Sequence, residues 1–260
     1  MNGDIKKMTG DVPKKENDCD YDCDCNYDYS YIDRNFENIK KRAEDAKKRS
    51  HYGQDVKILA AVKYATAGEI KHLIEKTGIT DIGENRVQQL LEHYEEIGDT
   101  IKRKNVNVHF IGSLQTNKVK YIIDKVTLIH SLDSVKLAEE IDRQAKKHGK
   151  TMDVLVEINC GREENKGGIP PEETESFCRE IMNFSSINLC GFMTMAPKCE
   201  EKAEYFQYFD KTYKLFLDIW RKIVHNNREP IVSMGMSGSF EEAILCGSTC
   251  VRIGRSFFEK

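Results

Sequence analysis

Lys63 is the residue with the most chemistry to offer. It follows the apolar run Ile58-Leu59-Ala60-Ala61-Val62 and precedes Thr66-Ala67-Gly68-Glu69, which reads as the opening of a helix. Strand alternation puts Lys63 on the side of Leu59 and Ala61, so its amine emerges at the carboxyl end of the strand. An amine there can form an imine with a carbonyl compound, or it can simply reach solvent from an apolar wall. Two turns of small residues near the C-terminus offer a different chemistry. Ser237-Gly238-Ser239 precedes a helix beginning near Phe240, and Gly254-Arg255-Ser256 follows the run Thr249-Cys250-Val251-Arg252-Ile253. Backbone N–H groups in such turns can cradle an anion. Arg252, inside an apolar run, needs a partner: a carboxylate such as Glu157 or Glu84, or a bound planar ligand.

These residues require a frame that collects strand ends. Eight short apolar runs read as strands: 57–62, 80–83, 108–112, 128–132, 153–159, 189–193, 231–233 and 249–253. Helical patterns separate them, at 66–76, 84–96, 115–125, 133–148, 171–184, 201–226 and 239–245. The sixth carries Phe206, Phe209, Tyr213, Phe216, Trp220 and Ile223 as one core-facing stripe. This alternation predicts a TIM-type (β/α)8 barrel over residues 31–260, whose functional groups gather at the strand C-termini. Lys63 ends the first strand, Asn85 and Arg86 follow the second, and the two small turns follow the seventh and eighth. Little chain remains after Ile253 for an eighth helix. An amphipathic stretch marked by Ile32, Phe36, Ile39, Ala43 and Ala46 is expected to cover that gap as an extra N-terminal helix.

Composition narrows the function classes. A net charge of -3, with 40 basic and 43 acidic side chains, supplies no field for nucleic acid or an anionic membrane. No apolar run approaches the roughly 18 residues of a membrane span, and no signal-like segment opens the chain, so a cytoplasmic protein is expected. Residues 1–30, rich in Asp, Asn, Lys and Tyr, read as a disordered extension. The nine cysteines follow no zinc spacing, and no metal site is expected, although Cys19, Cys23 and Cys25 sit among aspartates. His109 and His130 read as satisfied core histidines rather than catalysts.

An imine-forming lysine, a phosphate cradle across the barrel and an arginine between them match the needs of pyridoxal 5'-phosphate (PLP). The chain resembles the pyridoxal phosphate homeostasis protein family, single-domain relatives of the alanine racemase barrel. The similarity runs over about residues 57–258. It lies in the Lys63 strand, Ile82-Gly83-Glu84-Asn85-Arg86-Val87-Gln88, Val108-His109-Phe110-Ile111-Gly112-Ser113-Leu114-Gln115-Thr116-Asn117-Lys118, Ser233-Met234-Gly235-Met236-Ser237 and Gly247-Ser248-Thr249-Cys250-Val251-Arg252-Ile253-Gly254. The resemblance implies that Lys63 carries PLP as a Schiff base with Asn85 beside it. It implies that Met236, Ser237, Gly254 and Arg255 line the phosphate and that Arg252 approaches the ring nitrogen. The family usually has Ser-Lys-Thr where this chain has Val62-Lys63-Tyr64, and a small hydroxyl residue where this chain has Arg255.

The function expected is therefore a non-enzymatic PLP carrier or buffer in vitamin B6 homeostasis. No catalytic residue is assigned, and PLP-dependent apo-enzymes are the expected partners of a monomer. The alternative is a weak alanine-type racemase. Racemisation needs an acid/base group on each face of the α-carbon, and Tyr64, the only tyrosine near Lys63, is expected to point away. A barrel for another phosphorylated metabolite is a third reading, in which Lys63 forms no imine.

Overall fold

The computed structural model describes residues 28–163, 166–223 and 229–260. The extension expected over 1–30 lies outside the described residues as far as residue 27, as do Cys19, Cys23 and Cys25. Helix α1 (Ser30–Arg49) opens the fold and buries Ile32, Phe36, Ile39, Ala43 and Ala46, the stripe expected of it.

Eight parallel strands then close into a barrel in sequence order. They are β1 (Lys57–Ala61), β2 (Asp81–Glu84), β3 (Asn107–Phe110), β4 (Leu128–Leu132), β5 (Met152–Ile158), β6 (Ile187–Thr194), β7 (Ile231–Ser233) and β8 (Cys250–Ile253). Closure is the pairing of β1 with β8, in which Leu59 lies opposite Arg252. The helices between them are α2 (Ala67–His72), α3 (Val87–Arg103), α4 (Val119–Ile122), α5 (Val135–Lys147), α6 (Thr174–Ile181), α7 (Lys202–Ile223) and α8 (Phe240–Leu245), and the short α9 (Arg255–Phe258) follows β8. Among the described residues no helix is long and apolar enough to cross a membrane.

Each expected strand is present, and the differences are instructive. The third helix pattern is a 3-10 turn leading into only four α-helical residues. In α7 the expected stripe is narrower, because Phe206 is exposed and Tyr213 and Trp220 are only partly buried. Trp220 and Phe216 instead meet the edge of Phe192 from β6.

The gap left by the short α9 is filled by α1, which packs on α8 and α9. Arg42 is paired with Glu241 of α8 at 2.9 Å. The Asn35 amide donates to the carbonyls of Phe257 and Glu259. Two small apolar clusters stand apart from the main core: Leu59, Ile111 and Cys250, and Leu128, Leu155 and Met193. Their parity along the strands places them inside the barrel, where they fill its middle and leave polar inward positions above and below.

Candidate functional site

β1 ends at Ala61, and Lys63 sits in the turn after it. The turn is fastened on three sides. Val62 N–H donates to the Gly83 carbonyl of β2, Ala65 N–H donates to the Val62 carbonyl, and the Gln89 amide of α3 donates to the Lys63 carbonyl. A Thr66–Glu69 capping box then starts α2, and the Tyr31 hydroxyl of α1 donates to Glu69. The backbone beneath the lysine is thus held while its side chain is exposed. Strand alternation no longer operates there, which corrects the expectation for Tyr64. Its ring lies 4.6 Å from the Lys63 ammonium, on the same side, and lines the same cavity.

That cavity has a volume of about 700 Å³, and Lys63, Asn85, Met236, Ser237, Arg252, Gly254 and Arg255 all line it. Asn85 follows β2, and its backbone passes against Gly112, where an added Cβ would stand 2.1 Å from the Asn85 carbonyl oxygen. Only glycine permits that approach. The Asn85 Oδ1 atom is buried without a hydrogen-bond partner among the described residues. Opposite, Gly235 turns the chain out of β7 with φ +90° and packs so closely on α8 that a Cβ would meet Ala243 at 2.6 Å. The N–H groups of Gly254 and Ser256 converge on the Ser237 hydroxyl at 3.3 and 3.4 Å. Arg255 stands at the rim, largely exposed, with Glu259 4.0 Å away.

Arg252 is 4% exposed, and neither carboxylate considered for it is bonded to it. Its Nη1 donates to the Ser233 carbonyl at 2.8 Å and to the Ser233 hydroxyl at 2.6 Å, and its Nη2 donates to the Thr194 carbonyl at 2.9 Å. Glu84 has the opposite strand parity and pairs with His93 at 2.6 Å. Glu157 reaches Arg252 only through its field, which partly counters the rise in its carboxyl pKa caused by burial and by Asp133.

Below Arg252 a hydrogen-bonded chain crosses the barrel. Ser233 Oγ is 3.1 Å from His130 Nδ1, His130 Nε2 is 2.9 Å from His109 Nδ1, and His109 Nε2 is 3.0 Å from Asp81 Oδ1. Lys57 closes it with a 2.9 Å contact to the same Asp81 oxygen. The two ends fix the tautomers. Burial opposes ionisation of Asp81, but hydrogen bonds from His109, Thr80 and Lys57 outweigh it and hold its carboxyl below the ordinary value. His109 therefore donates from Nε2 and accepts at Nδ1 from His130, which accepts at Nδ1 from the Ser233 hydroxyl. Burial keeps both imidazoles neutral by lowering their pKa values, which makes His109 and His130 the satisfied core histidines expected of them.

The linear sequence does not link these residues, nor does it single out Asp133, which follows β4. The available signal was parity: Asp81, His109, His130, Ser233 and Arg252 all share the inward parity of Leu59, Ile111 and Leu128.

The family of the alanine racemase N-terminal domain matches residues 28–259. A pyridoxal phosphate homeostasis protein of Aquifex aeolicus is 38% identical over 220 residues, covering 85% of this chain and 94% of that protein. One from Haemophilus influenzae is 33% identical over 231 residues, covering 87% and 94%. Among solved structures, a protein of unknown function from Bifidobacterium adolescentis superposes with a TM-score of 0.80 at 30% identity, covering 88% of this chain and 95% of that one. PipY of Synechococcus elongatus with PLP bound superposes with a TM-score of 0.75 at 24% identity, covering 87% and 99%, and so shares the fold. With a barrel of this topology and relatives matched over nearly their whole length, the chain belongs to the pyridoxal phosphate homeostasis protein family, within the alanine racemase N-terminal domain family.

Proposed function

We propose that this protein binds PLP reversibly through a Schiff base on Lys63 and carries or buffers the cofactor, without catalysing a reaction of its own. The observation that carries the reading is the convergence of groups from three sides of the cavity. An exposed lysine amine lies on a fixed backbone, an Asn85 Oδ1 with no partner among the described residues belongs to the same cavity lining, and Ser237, which takes the Gly254 and Ser256 N–H groups after β8, lines it too. The relatives named for PLP homeostasis, and PipY with PLP bound, support the same reading.

PLP supplies an aldehyde that condenses with a primary amine, together with a phosphate and a pyridine ring. The chain's own groups suit each part. Lys63 offers the amine. Ser237, Gly254 and Ser256 offer hydroxyl and backbone donors that now satisfy one another and can turn to a phosphate oxygen, with Arg255 adding charge at the rim. Met236, 41% exposed, offers an apolar surface. Arg252 would set a permanent cation near the ring nitrogen, and a guanidinium gives that nitrogen no proton. A carrier benefits, because an unprotonated pyridine is a poor electron sink.

Tyr64 bears on the racemase alternative. It brings a second acid/base hydroxyl to the cavity, yet its ring rests against the Lys63 ammonium and occupies the same side. Two-base racemisation needs groups on opposite faces, so the geometry favours carriage.

The visible absorbance of the protein with added PLP, beside Lys63→Ala, tests the assignment. An imine band in the wild type and none in the variant is the expected result. No band in either, with inorganic phosphate still bound, would return the barrel to an unassigned phosphate site. Conversion of L- to D-alanine at ordinary enzyme rates would replace the carrier reading with the racemase.

A further inference from the structure

Across the cavity from the β7 and β8 turns stands Glu157 of β5, 5% exposed and lining the cavity. Its carboxylate accepts no hydrogen bond from any described residue, although a buried carboxylate ordinarily takes several. Asp133 comes beside it from the end of β4. A Cβ built on Gly167 would stand 3.1 Å from Asp133 Oδ2 and 3.9 Å from Glu157 Oε2, so both carboxylates lie against the same glycine, Glu157 on the cavity wall and Asp133 next to it. The nearest permanent cation does not neutralise them, because Arg252 spends its Nη donors on Ser233 and Thr194. Burial raises both carboxyl groups, and the neighbouring Asp133 charge helps carry Glu157 up to about 7. Nothing in the proposed PLP carriage uses this pair: the anionic phosphate would lie with the turns after β7 and β8.

We propose that Glu157 and Asp133 form an amine subsite, which holds the ammonium group of the molecule that relieves Lys63 of its cofactor and takes the proton that must leave that nitrogen before it attacks. The inference rests on the carrier reading. An ammonium has no lone pair, and at neutral pH almost all of a lysine-like amine is in that form. Glu157 removes the proton, and the freed nitrogen forms a bond to the imine carbon. One proton moves from the attacking nitrogen to the Lys63 nitrogen, and the bond from the carbon to the Lys63 nitrogen then breaks, its electron pair returning to Lys63. The proton held by Glu157 passes to the Lys63 amine, so charge and atoms balance and no oxidant is involved. The cavity's other charged groups are Lys63 after β1, Glu163 and Lys166 after β5, Lys198 after β6, and Arg252 and Arg255 at β8.

Two adjacent carboxylates also select among amines. A free α-amino acid brings its own carboxylate next to the ammonium and is repelled, whereas the ε-ammonium of a lysine side chain brings none. The acceptor that fits is therefore a protein lysine, the group through which an apo-enzyme would receive the cofactor.

The test loads the full chain with PLP and follows loss of the bound cofactor's induced circular dichroism after mixing with Nα-acetyl-L-lysine amide or with L-alanine. Wild type should discharge faster to the lysine amide. Glu157→Gln should slow that reaction roughly 10- to 100-fold at pH 7.5, and the gap should close as pH approaches the amine's own pKa near about 10. Equal discharge of wild type and Glu157→Gln, or preference for alanine in both, would overturn the subsite. A second measurement needs no cofactor. In PLP-free protein carrying 13C-labelled glutamate, methylammonium chloride should lower the pH at which the Glu157 carboxyl titrates, and an unchanged titration would overturn the subsite. A wild type that never gains the PLP band would instead remove the carrier reading, while the methylammonium titration would still judge whether the pair binds amines.

Discussion

On the β7–β8 wall of the cavity a guanidinium that is 4% exposed places its donors on three oxygens, while on the β4–β5 wall a carboxylate that is 5% exposed accepts no hydrogen bond from the described residues. Both groups are costly to bury, and the difference lies in who compensates them. Arg252 is compensated by the fold, through Ser233, His130 and His109 down to Asp81. Glu157 has no such compensation among the described residues. A satisfied buried charge can be lost only at the expense of stability, whereas an unsatisfied one lowers stability until a ligand arrives.

Replacing each group should separate the two cases. Arg252→Leu strips the Ser233 carbonyl and hydroxyl and the Thr194 carbonyl of their donors, and should lower the unfolding free energy by about 3–5 kcal/mol in a urea titration. Glu157→Gln should act in the opposite direction and only at higher pH. The Glu157 carboxyl titrates near 7 in the folded chain, against 4.5 for an ordinary glutamate. Between those values the folded state holds a proton that the unfolded state has released. Stability contributed by this group is therefore complete below about pH 4.5, falls as pH rises toward 7, and is level above. The full span is on the order of 3 kcal/mol. Urea midpoints at pH 5 and pH 8 should show wild type losing stability relative to the glutamine variant across that interval, and parallel curves would mean that Glu157 is satisfied after all. The smallest effect belongs at the foot of the relay. Lys57 is 44% exposed at its side chain, and Asp81 keeps His109 and Thr80 without it. Lys57→Met should cost less than about 1 kcal/mol, and a larger loss would show that the compensation of Arg252 depends on the cation at the far end.

Much of this was legible before folding was considered. Apolar runs separated by helical periods fixed the strand order, and an arginine inside such a run announced a buried charge in need of partners. The partners themselves were not legible. Ser233, Thr194, His130, His109 and Asp81 come from five other strands, and only the register between those strands brings them into line with Arg252. Glu84 was a reasonable partner by composition and is excluded by one residue of parity. Tyr64 was misplaced for a related reason: the alternation rule was carried past Ala61, where the strand stops. Asp133 read as the start of a helix, and nothing local distinguishes a helix-opening aspartate from one whose charge acts on a buried glutamate.

The N-terminal helix has a consequence for how the protein is made. α1 is complete early in synthesis and can meet α2 through Tyr31 and Glu69, but most of its packing is with α8 and α9, and the Arg42–Glu241 and Asn35–Phe257 bonds span 199 and 222 residues. A growing chain on the ribosome therefore carries an amphipathic helix that lacks most of the surface it covers until both distant helices have emerged. Its apolar stripe is exposed for most of translation, the interval in which chaperones engage nascent chains. Closure of the barrel and docking of α1 should then arrive together as the last step, so that an arrested chain lacking β8 would display a sticky helix rather than a partial barrel.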